Sequence, residues 1–310
     1  MSSNSLTSAG ASGRTGDKVF SGFALGAGAL ILLVLFSVAT FLVVQAAPTF
    51  VANPSEVAGG EGFWKYILPL VLGTVIAAAI ALLIATPVSV GVALFISHFA
   101  PRRLAQGFGY IIDLLAAIPS VVYGAWGVAF LAPAMAPGYQ WLADNAGWFP
   151  LFAGPASATG KTILTAGIVL AVMVIPIVTS LSREIFLQTP KLHEEAALAL
   201  GATRWEMIRM AVFPFGRPGV VSAIMLGLGR ALGETMAVAL VLSSGPLIAS
   251  LIRSGNQTIA AEIALNFPEA TGLSLSTLIA AGLVLFVITL AVNMLARWIV
   301  GRHKEFSGAN

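Results

Sequence analysis

The run Leu273–Val300, LSLSTLIAAGLVLFVITLAVNMLARWIV, indicates the fold class of this 310-residue chain. Its only charged residue is Arg297, near its end. A helix needs about 20 mainly apolar residues to cross a hydrocarbon layer about 30 Å thick, so this run is long enough to span a membrane. Five earlier runs have the same character: Phe20–Ala47, Ile67–Ser97, Phe108–Met135, Thr162–Leu181 and Pro218–Ser244. The sequence therefore predicts an all-α, polytopic membrane protein with about six transmembrane helices.

The composition supports the same class and excludes several others. Hydrophobic residues make up 58% of the chain and charged residues only 9%, whereas a soluble domain carries roughly 25% charged residues. Most of the surface is therefore expected to face membrane lipid. The net charge of +3 does not indicate a nucleic-acid partner, because the charges lie between apolar runs. Cysteine is absent and the three histidines are scattered, so we predict no catalytic residue, no metal site and no cofactor.

The distribution of lysine and arginine predicts the orientation in the membrane, because cytoplasmic loops carry an excess of these residues. With the N-terminus inside, twelve basic residues are cytoplasmic and three lie outside. Both termini are therefore expected in the cytoplasm, with a disordered tail at 1–19, a transmembrane domain at 20–302 and a short tail at 303–310. The three outside residues are Lys65, Lys161 and Arg253.

The longest polar stretch between the predicted spans is the cytoplasmic loop 183–217. Thr189 followed by Pro190 suits the N-cap and the first position of a helix. This pair predicts a short helix at Lys191–Leu200, which stops at Gly201 because glycine tolerates the backbone conformation of a tight turn.

A second short helix is predicted directly after that glycine. Thr203 and Glu206 have the spacing of a capping box, in which the two residues satisfy each other's free backbone amides. Pro214, Gly216 and Pro218 are expected to end this helix. Two short helices joined at a glycine would then lie on the cytoplasmic surface.

The residues of this loop resemble the Glu-Ala-Ala loop of binding-protein-dependent ABC importers. The matching positions are Glu194, Glu195, Ala196, Ala197 and Gly201, followed by Ile208 and Pro214, although Val212-Phe213-Pro214 replaces the usual Ile-x-Leu-Pro. The resemblance implies that the loop is a coupling helix that docks on a separate ATPase subunit. The alternative is an ordinary amphipathic helix on the membrane surface.

Two opposite charges lie inside the fifth predicted span. Arg230 is thirteen residues past Arg217, which places it about 20 Å along a helix. Glu234 follows four residues later, on the same helix face, where the two side chains can pair. Such charges in a span line a bundle interior or a transport route, since a lone charge near mid-bilayer costs roughly 2.5–3.5 kcal/mol. These residues alone fit two hypotheses equally well, a structural salt bridge and a polar site for a passing anion.

The sequence around this pair resembles phosphate-specific ABC permeases of the PstC type. The matching stretch is GRALGETMAV at 229–238, and a second match is IPSVVYG at 118–124. The resemblance covers about residues 20–302 and implies the type I ABC importer permease fold, with Arg230 and Glu234 in the substrate pathway. It also implies a heterodimer with a second permease of the PstA type, a pair of PstB-type ATPase subunits and an external PstS-type phosphate-binding protein.

Three other functions stay open from the sequence. A permease of the same superfamily could carry another oxyanion, such as sulfate or molybdate. A secondary transporter or channel could use Arg230 and Glu234 as an ion relay, without any ATPase. A membrane-embedded enzyme is disfavoured, because no nucleophile or base lies near a second polar group.

Overall fold

The chain is mainly helical in the part that the structure describes. The computed structural model describes residues 11–57, 60–243, 245 and 248–304, with side chains from residue 16 to residue 298. No strand occurs within these ranges. The α-helices are α1 (Ala11–Val51), α2 (Phe63–Leu94), α3 (Arg102–Ala116), α4 (Ser120–Trp126), α5 (Ala132–Ala146), α6 (Ile163–Leu187), α7 (Lys191–Ala199), α8 (Arg204–Met207), α9 (Phe213–Gly233), α10 (Met236–Val241), α11 (Ile259–Asn266) and α12 (Leu273–Lys304). Three π-helical turns extend α2 and join α4 to α5 and α8 to α9: Phe95–Phe99, Gly127–Leu131 and Ile208–Val212.

Six helical stretches of the described chain are long and apolar enough to cross a membrane, which confirms the predicted six spans. They are Gly16–Val51, Phe63–Phe99, Ser120–Ala146, Ile163–Leu187, Arg204–Gly233 and Leu273–Trp298. The helix of the first span begins at Ala11, so residues 11–19 of the predicted tail are helical. The last helix extends to Lys304. The remaining parts of both predicted tails, 1–10 and 305–310, lie outside the described residues.

The third span differs from the prediction of a single helix over 108–135. Helix α3 ends at Ala116, and a new helix begins at Ser120 and continues to Ala146. Pro119 causes the break, because proline lacks a backbone N–H and keeps the preceding residue out of the helical conformation. The predicted boundaries were therefore wrong, since they combined two elements. Asp113 of α3 accepts a hydrogen bond of 3.0 Å from the Ser180 hydroxyl, which joins α3 to α6.

Helix α6 lies at the centre of the bundle, between α2 and α9. The face of α2 towards it is formed by small residues, and all of them are buried: Ala77, Ala78, Ala81 and Ala85. Small side chains let the backbones of neighbouring membrane helices approach closely, which increases their van der Waals contact. A second apolar cluster joins α1, α2, α11 and α12 and includes Phe63, Ile67, Ile259 and Ala280.

An irregular segment, residues 248–258, follows α10; residues 255–258 are buried, and the segment contacts α2 and the start of α6. Asn256 holds it in a closed turn, because its side chain accepts from the Ile248 N–H (2.8 Å) and donates to the Ile248 carbonyl (3.0 Å). Its backbone also bonds to the start of α6 through Leu251 and Leu164. Thr74 of α2 accepts from the Ile259 N–H at 3.0 Å. These bonds satisfy backbone groups that burial within the bundle would otherwise leave unpaired.

Gly73 of α2 allows this segment to approach, and its substitution is expected to destabilise the fold. A Cβ atom at Gly73 would overlap the carbonyl oxygen of Gln257, whereas a Cβ at Gly91 of the same helix would meet nothing within 4 Å. Gly73→Ala should lower the free energy of unfolding by about 1–3 kcal/mol, as overpacking does. Gly91→Ala is the matched control and should raise it by about 0.5–1 kcal/mol, because alanine favours a helix more than glycine does. Thermal unfolding of the purified chain in detergent measures both. Equal midpoints for the two variants would contradict the close approach at Gly73.

Candidate functional site

The first helix of the loop 183–217 is α7, and it exposes most of its length. Its N-cap is Pro190, with no side-chain cap, so the predicted capping by Thr189 was wrong. The Thr189 side chain is instead buried. Glu195 and Ala196 are exposed, whereas Ala197 packs against an apolar cluster at the base of the loop. The matching residues therefore divide between an outer and an inner face of α7.

The turn after α7 has the geometry that the sequence predicts. Gly201 has a φ of +87°, which is the left-handed conformation that glycine adopts without steric cost. Its N–H donates to the Leu198 carbonyl at 2.9 Å. The capping box is also present: the Glu206 N–H donates to the Thr203 hydroxyl at 3.3 Å, and the Thr203 N–H donates to the Glu206 carboxylate at 2.8 Å.

Large apolar side chains project from this turn and from the helices on either side of it. Leu200 is 90% exposed and Leu192 is 75% exposed, and Leu198 and Trp205 are also exposed. We call these four residues the coupling patch. Several large exposed apolar groups within fourteen residues of a charged loop are typical of a surface that binds another protein.

The helix that opens at the capping box does not end at Pro214, Gly216 and Pro218, contrary to the prediction. Helix α8, the π-helical turn and α9 form one continuous stretch from Arg204 to Gly233. Pro214 lies within the first two positions of α9, directly after the π-helical turn, where the interrupted hydrogen-bond pattern accommodates a residue without an N–H. Residues 204–217 of the loop and the fifth span are therefore parts of one rod of 30 residues, about 45 Å long.

The rod ends at Gly233, which changes the predicted relation between Arg230 and Glu234. Glu234 has an extended backbone (φ −68°, ψ 126°) and is 8% exposed. Its carboxylate accepts a hydrogen bond of 3.2 Å from the Ala237 N–H at the start of α10. Across the described residues, no carboxylate lies within the 4.0 Å ion-pair distance of the Arg230 guanidinium. Because the helix breaks between them, the i, i+4 pair is not formed.

Arg230 lies on the exposed face of α9. The opposite face packs against α2, α6 and α12. Ser222, Leu226 and Gly233 share the exposed face with Arg230 at intervals of three or four residues. The guanidinium is therefore available to a molecule or a subunit outside this chain.

The breaks in the third and fifth spans lie side by side. Helix α4 packs against α10, and a Cβ atom added to Gly124 would come within 2.7 Å of the Ala237 Cα. The Tyr123 hydroxyl donates to the Leu115 carbonyl at 2.9 Å, which closes the break around Pro119. The stretches 118–124 and 229–238, which carry the sequence resemblance, thus meet in space.

Comparison with known proteins identifies the family. The profile of the family described as "Binding-protein-dependent transport system inner membrane component" matches residues 86–304, more than half of the chain. The chain belongs to this family. The match includes the loop 183–217 and both broken spans, and the chain is a multi-pass membrane protein with the fold of a transport permease.

Individual relatives of this permease chain extend the match to nearly its whole length. It is 46% identical over 301 residues to "Phosphate transport system permease protein PstC 2" of Mycobacterium tuberculosis, with 93% of each chain covered. It is 39% identical over 306 residues to the PstC protein of Mesorhizobium japonicum, with 94% of this chain and 92% of the relative covered. The resemblance to PstC-type permeases is therefore confirmed.

Two solved structures show the same fold at low sequence identity. A bacterial ABC transporter involved in the import of alginate covers 93% of this chain and 99% of its own, with a TM-score of 0.56 and 18% identity. The MetNI methionine ABC transporter, in an inward-facing conformation, covers 81% of this chain and 99% of its own, with a TM-score of 0.51 and 16% identity. The predicted ABC importer permease fold is confirmed.

Two polar contacts in the permease were missed by the sequence reasoning. His98, at the end of the second span, bonds to Glu194 of α7 at 3.4 Å. Tyr66 of α2 donates to the Glu262 carboxylate of α11 at 3.2 Å. Burial raises the pKa of the Glu262 carboxyl, and the bond from Tyr66 opposes that rise. Each contact joins residues far apart in the chain, so no local spacing could have indicated either one.

Proposed function

We propose that this chain is the permease subunit of an ATP-driven importer of inorganic phosphate, and that ATP is hydrolysed on a partner chain. The observation that carries the proposal is the 46% identity, over 93% of the chain, to a phosphate transport system permease. In this proposal the chain forms part of the translocation pathway and performs no covalent chemistry.

The continuous rod from Arg204 to Gly233 supports a mechanical link between the coupling loop and the pathway. Glu195, Ala196 and the coupling patch offer a docking surface to an ATPase subunit, and the Gly201 turn connects this surface to the rod. A displacement of the turn is transmitted along the helix, because its backbone hydrogen bonds make it stiff. Arg230 lies about 40 Å along the rod from Arg204, so the guanidinium moves with the turn.

Arg230 is proposed to bind the anion during its passage. Its planar guanidinium can donate paired hydrogen bonds that match the oxygens of a phosphate group. Among the described residues, no carboxylate forms an ion pair with it. Glu234 is proposed to shape the same site by fixing the break and the start of α10. Because the helix ends before residue 234, we expect the Arg230 side chain to face the translocation pathway.

Other subunits complete the proposed transporter. The uncovered face of α9 is proposed to meet a second permease of the PstA type, which would close the pathway around Arg230. A pair of PstB-type ATPase subunits would dock on the cytoplasmic loop 183–217, and a PstS-type binding protein would deliver phosphate on the other side. Both termini of the chain are then cytoplasmic, as the basic residues predict.

Uptake of labelled phosphate tests this proposal in cells that lack the chain. Restoring the chain should restore uptake, and unlabelled phosphate should compete while an excess of sulfate or molybdate should not. An ionophore that removes ion gradients should leave uptake intact in proteoliposomes supplied with ATP. Competition by sulfate would indicate a permease for another oxyanion. Uptake that needs an ion gradient and no ATPase would indicate a secondary transporter.

A further inference from the structure

A short chain of hydrogen bonds joins the second span to α7. The Ser97 hydroxyl lies 2.7 Å from His98 Nδ1, and His98 Nε2 lies 3.4 Å from the Glu194 carboxylate. The His98 side chain is only 8% exposed and the Glu194 side chain 24% exposed. A histidine this deeply buried between two polar partners has a fixed ring orientation.

The two partners satisfy the imidazole in both of its protonation states. In the neutral ring, Nε2–H donates to Glu194 and the Ser97 hydroxyl donates to Nδ1. In the charged ring, both nitrogens donate, and the Ser97 hydroxyl turns to the Leu94 carbonyl, which lies 3.3 Å away. The link between the second span and α7 therefore persists whichever form is present.

Helix α7 makes few buried contacts. None of its residues is buried, and it packs on the π-helical turn Ile208–Val212 and on α8, with Ala197 against the apolar cluster formed by Leu94, Phe186 and Ile208. The hydrogen bond from His98 adds a polar link from α7 to the second span. Glu194 faces inward to this bond, while the neighbouring Glu195 faces outward.

We propose that His98 is a positioning residue for energy coupling, acting through Glu194. It ties α7 to the second span, so that a displacement of the coupling patch moves α2 together with the rod that carries Arg230. This inference rests on the proposed function, and it assigns Glu194 to the inner link rather than to the ATPase surface. Without the link, α7 would move independently of the second span, and part of the movement of the ATPase subunits would not reach the transport pathway.

The number of phosphate ions transported per ATP hydrolysed tests the link in the reconstituted transporter. His98→Met removes both ring nitrogens at similar volume and should lower this ratio about tenfold, as loss of a hydrogen bond to a charged group does, with ATP hydrolysis and subunit assembly preserved. Glu194→Leu should have the same effect. The double variant should be no worse than either single one, because both remove the same contact.

Two further variants separate positioning from general damage. His98→Gln keeps an N–H donor near the position of Nε2 and should recover most of the ratio. Gln140→Met is the matched control, since it removes a side-chain hydrogen bond of 2.9 Å to the Asp144 carboxylate on α5, outside the loop 183–217, and its ratio should equal that of the unsubstituted chain. An unchanged ratio in His98→Met, or losses that multiply in the double variant, would overturn the proposal. If His98→Met does not assemble, the phosphate-to-ATP ratios of Glu194→Leu and His98→Gln test the proposal instead: a lowered ratio in the first and a nearly normal ratio in the second support it, and a normal ratio in Glu194→Leu overturns it.

A distance measurement tests the link without reference to phosphate. The chain has no cysteine, so Gly91→Cys and Leu192→Cys give one spin-label pair between α2 and α7 at two exposed positions. His98→Met should broaden the distance distribution of this pair, and an unchanged distribution would contradict the link. If His98→Met broadens the distribution but the unsubstituted transporter carries no phosphate, the proposed link is supported and only the proposed substrate is refuted.

Discussion

Phosphate uptake is expected to fall about 100-fold when Arg230 is replaced by methionine, while the transporter still assembles. Removal of one partner from a desolvated charge–charge contact costs about 2–5 kcal/mol, and this range includes a 100-fold effect. Arg230 makes no ion pair within the described chain, so its removal breaks no internal contact of that kind. The loss should therefore appear in uptake rather than in folding.

Uptake of labelled phosphate in proteoliposomes measures this effect, and co-purification with the ATPase measures assembly. Arg103→Met is the matched control, because Arg103 is an exposed arginine on α3, outside the loop 183–217. Its uptake should stay close to that of the unsubstituted chain. Normal uptake in Arg230→Met would exclude Arg230 from the pathway.

Two substitutions at Glu234 distinguish its charge from its capping role. Glu234→Gln keeps an oxygen that accepts from the Ala237 N–H, whereas Glu234→Ala leaves that N–H without its partner. A pathway role of the charge predicts that both variants lose uptake. A purely structural role predicts that Glu234→Gln behaves normally and that only Glu234→Ala is impaired.

Replacement of Gly201 by valine is expected to separate ATP hydrolysis from transport. Gly201 has a φ of +87°, and a Cβ there would meet no atom within 4 Å, so the cost of valine lies in the backbone alone. The left-handed conformation costs an L-residue roughly 1–2 kcal/mol, and more when the side chain is β-branched. The turn should then relax into another conformation and change the angle between α7 and the rod.

The phosphate-to-ATP ratio measures this effect, and two variants control for it. Gly201→Asn should retain most of the coupling, because asparagine tolerates the left-handed conformation. Gly272→Val introduces comparable backbone strain at a φ of +55° between α11 and α12, again with no atom nearby, and should leave the ratio unchanged. Unchanged coupling in Gly201→Val would mean that the loop is only a connector.

The cytoplasmic end of this helical stretch and the segment around Arg230 are continuous in this permease, because α8, the π-helical turn and α9 form one stretch from Arg204 to Gly233. The prolines at 214 and 218 favour a break in the helix, yet both lie within the continuous helical rod. A π-helical turn before Pro214 and close packing of α9 against α6 offset the local preference. The interruption occurs instead at Glu234, beyond Arg230, where the carboxylate caps the next helix.

The sequence by itself determined the six spans, the Gly201 turn and the Thr203–Glu206 capping box. These features depend on side chains within one helix or one turn, so hydropathy and spacing predict them. It also determined the family, because the motifs at 118–124, 194–201 and 229–238 are specific.

Only the tertiary structure decided how these pieces are joined. The break near Pro119, the uninterrupted rod through Pro214, the unpaired Arg230 and the bond between His98 and Glu194 all depend on packing between distant segments. His98 and Glu194 are 96 residues apart, and the stretches at 118–124 and 229–238 meet only in the folded bundle. Contact between such segments depends on where each helix lies in three dimensions, which no local periodicity records.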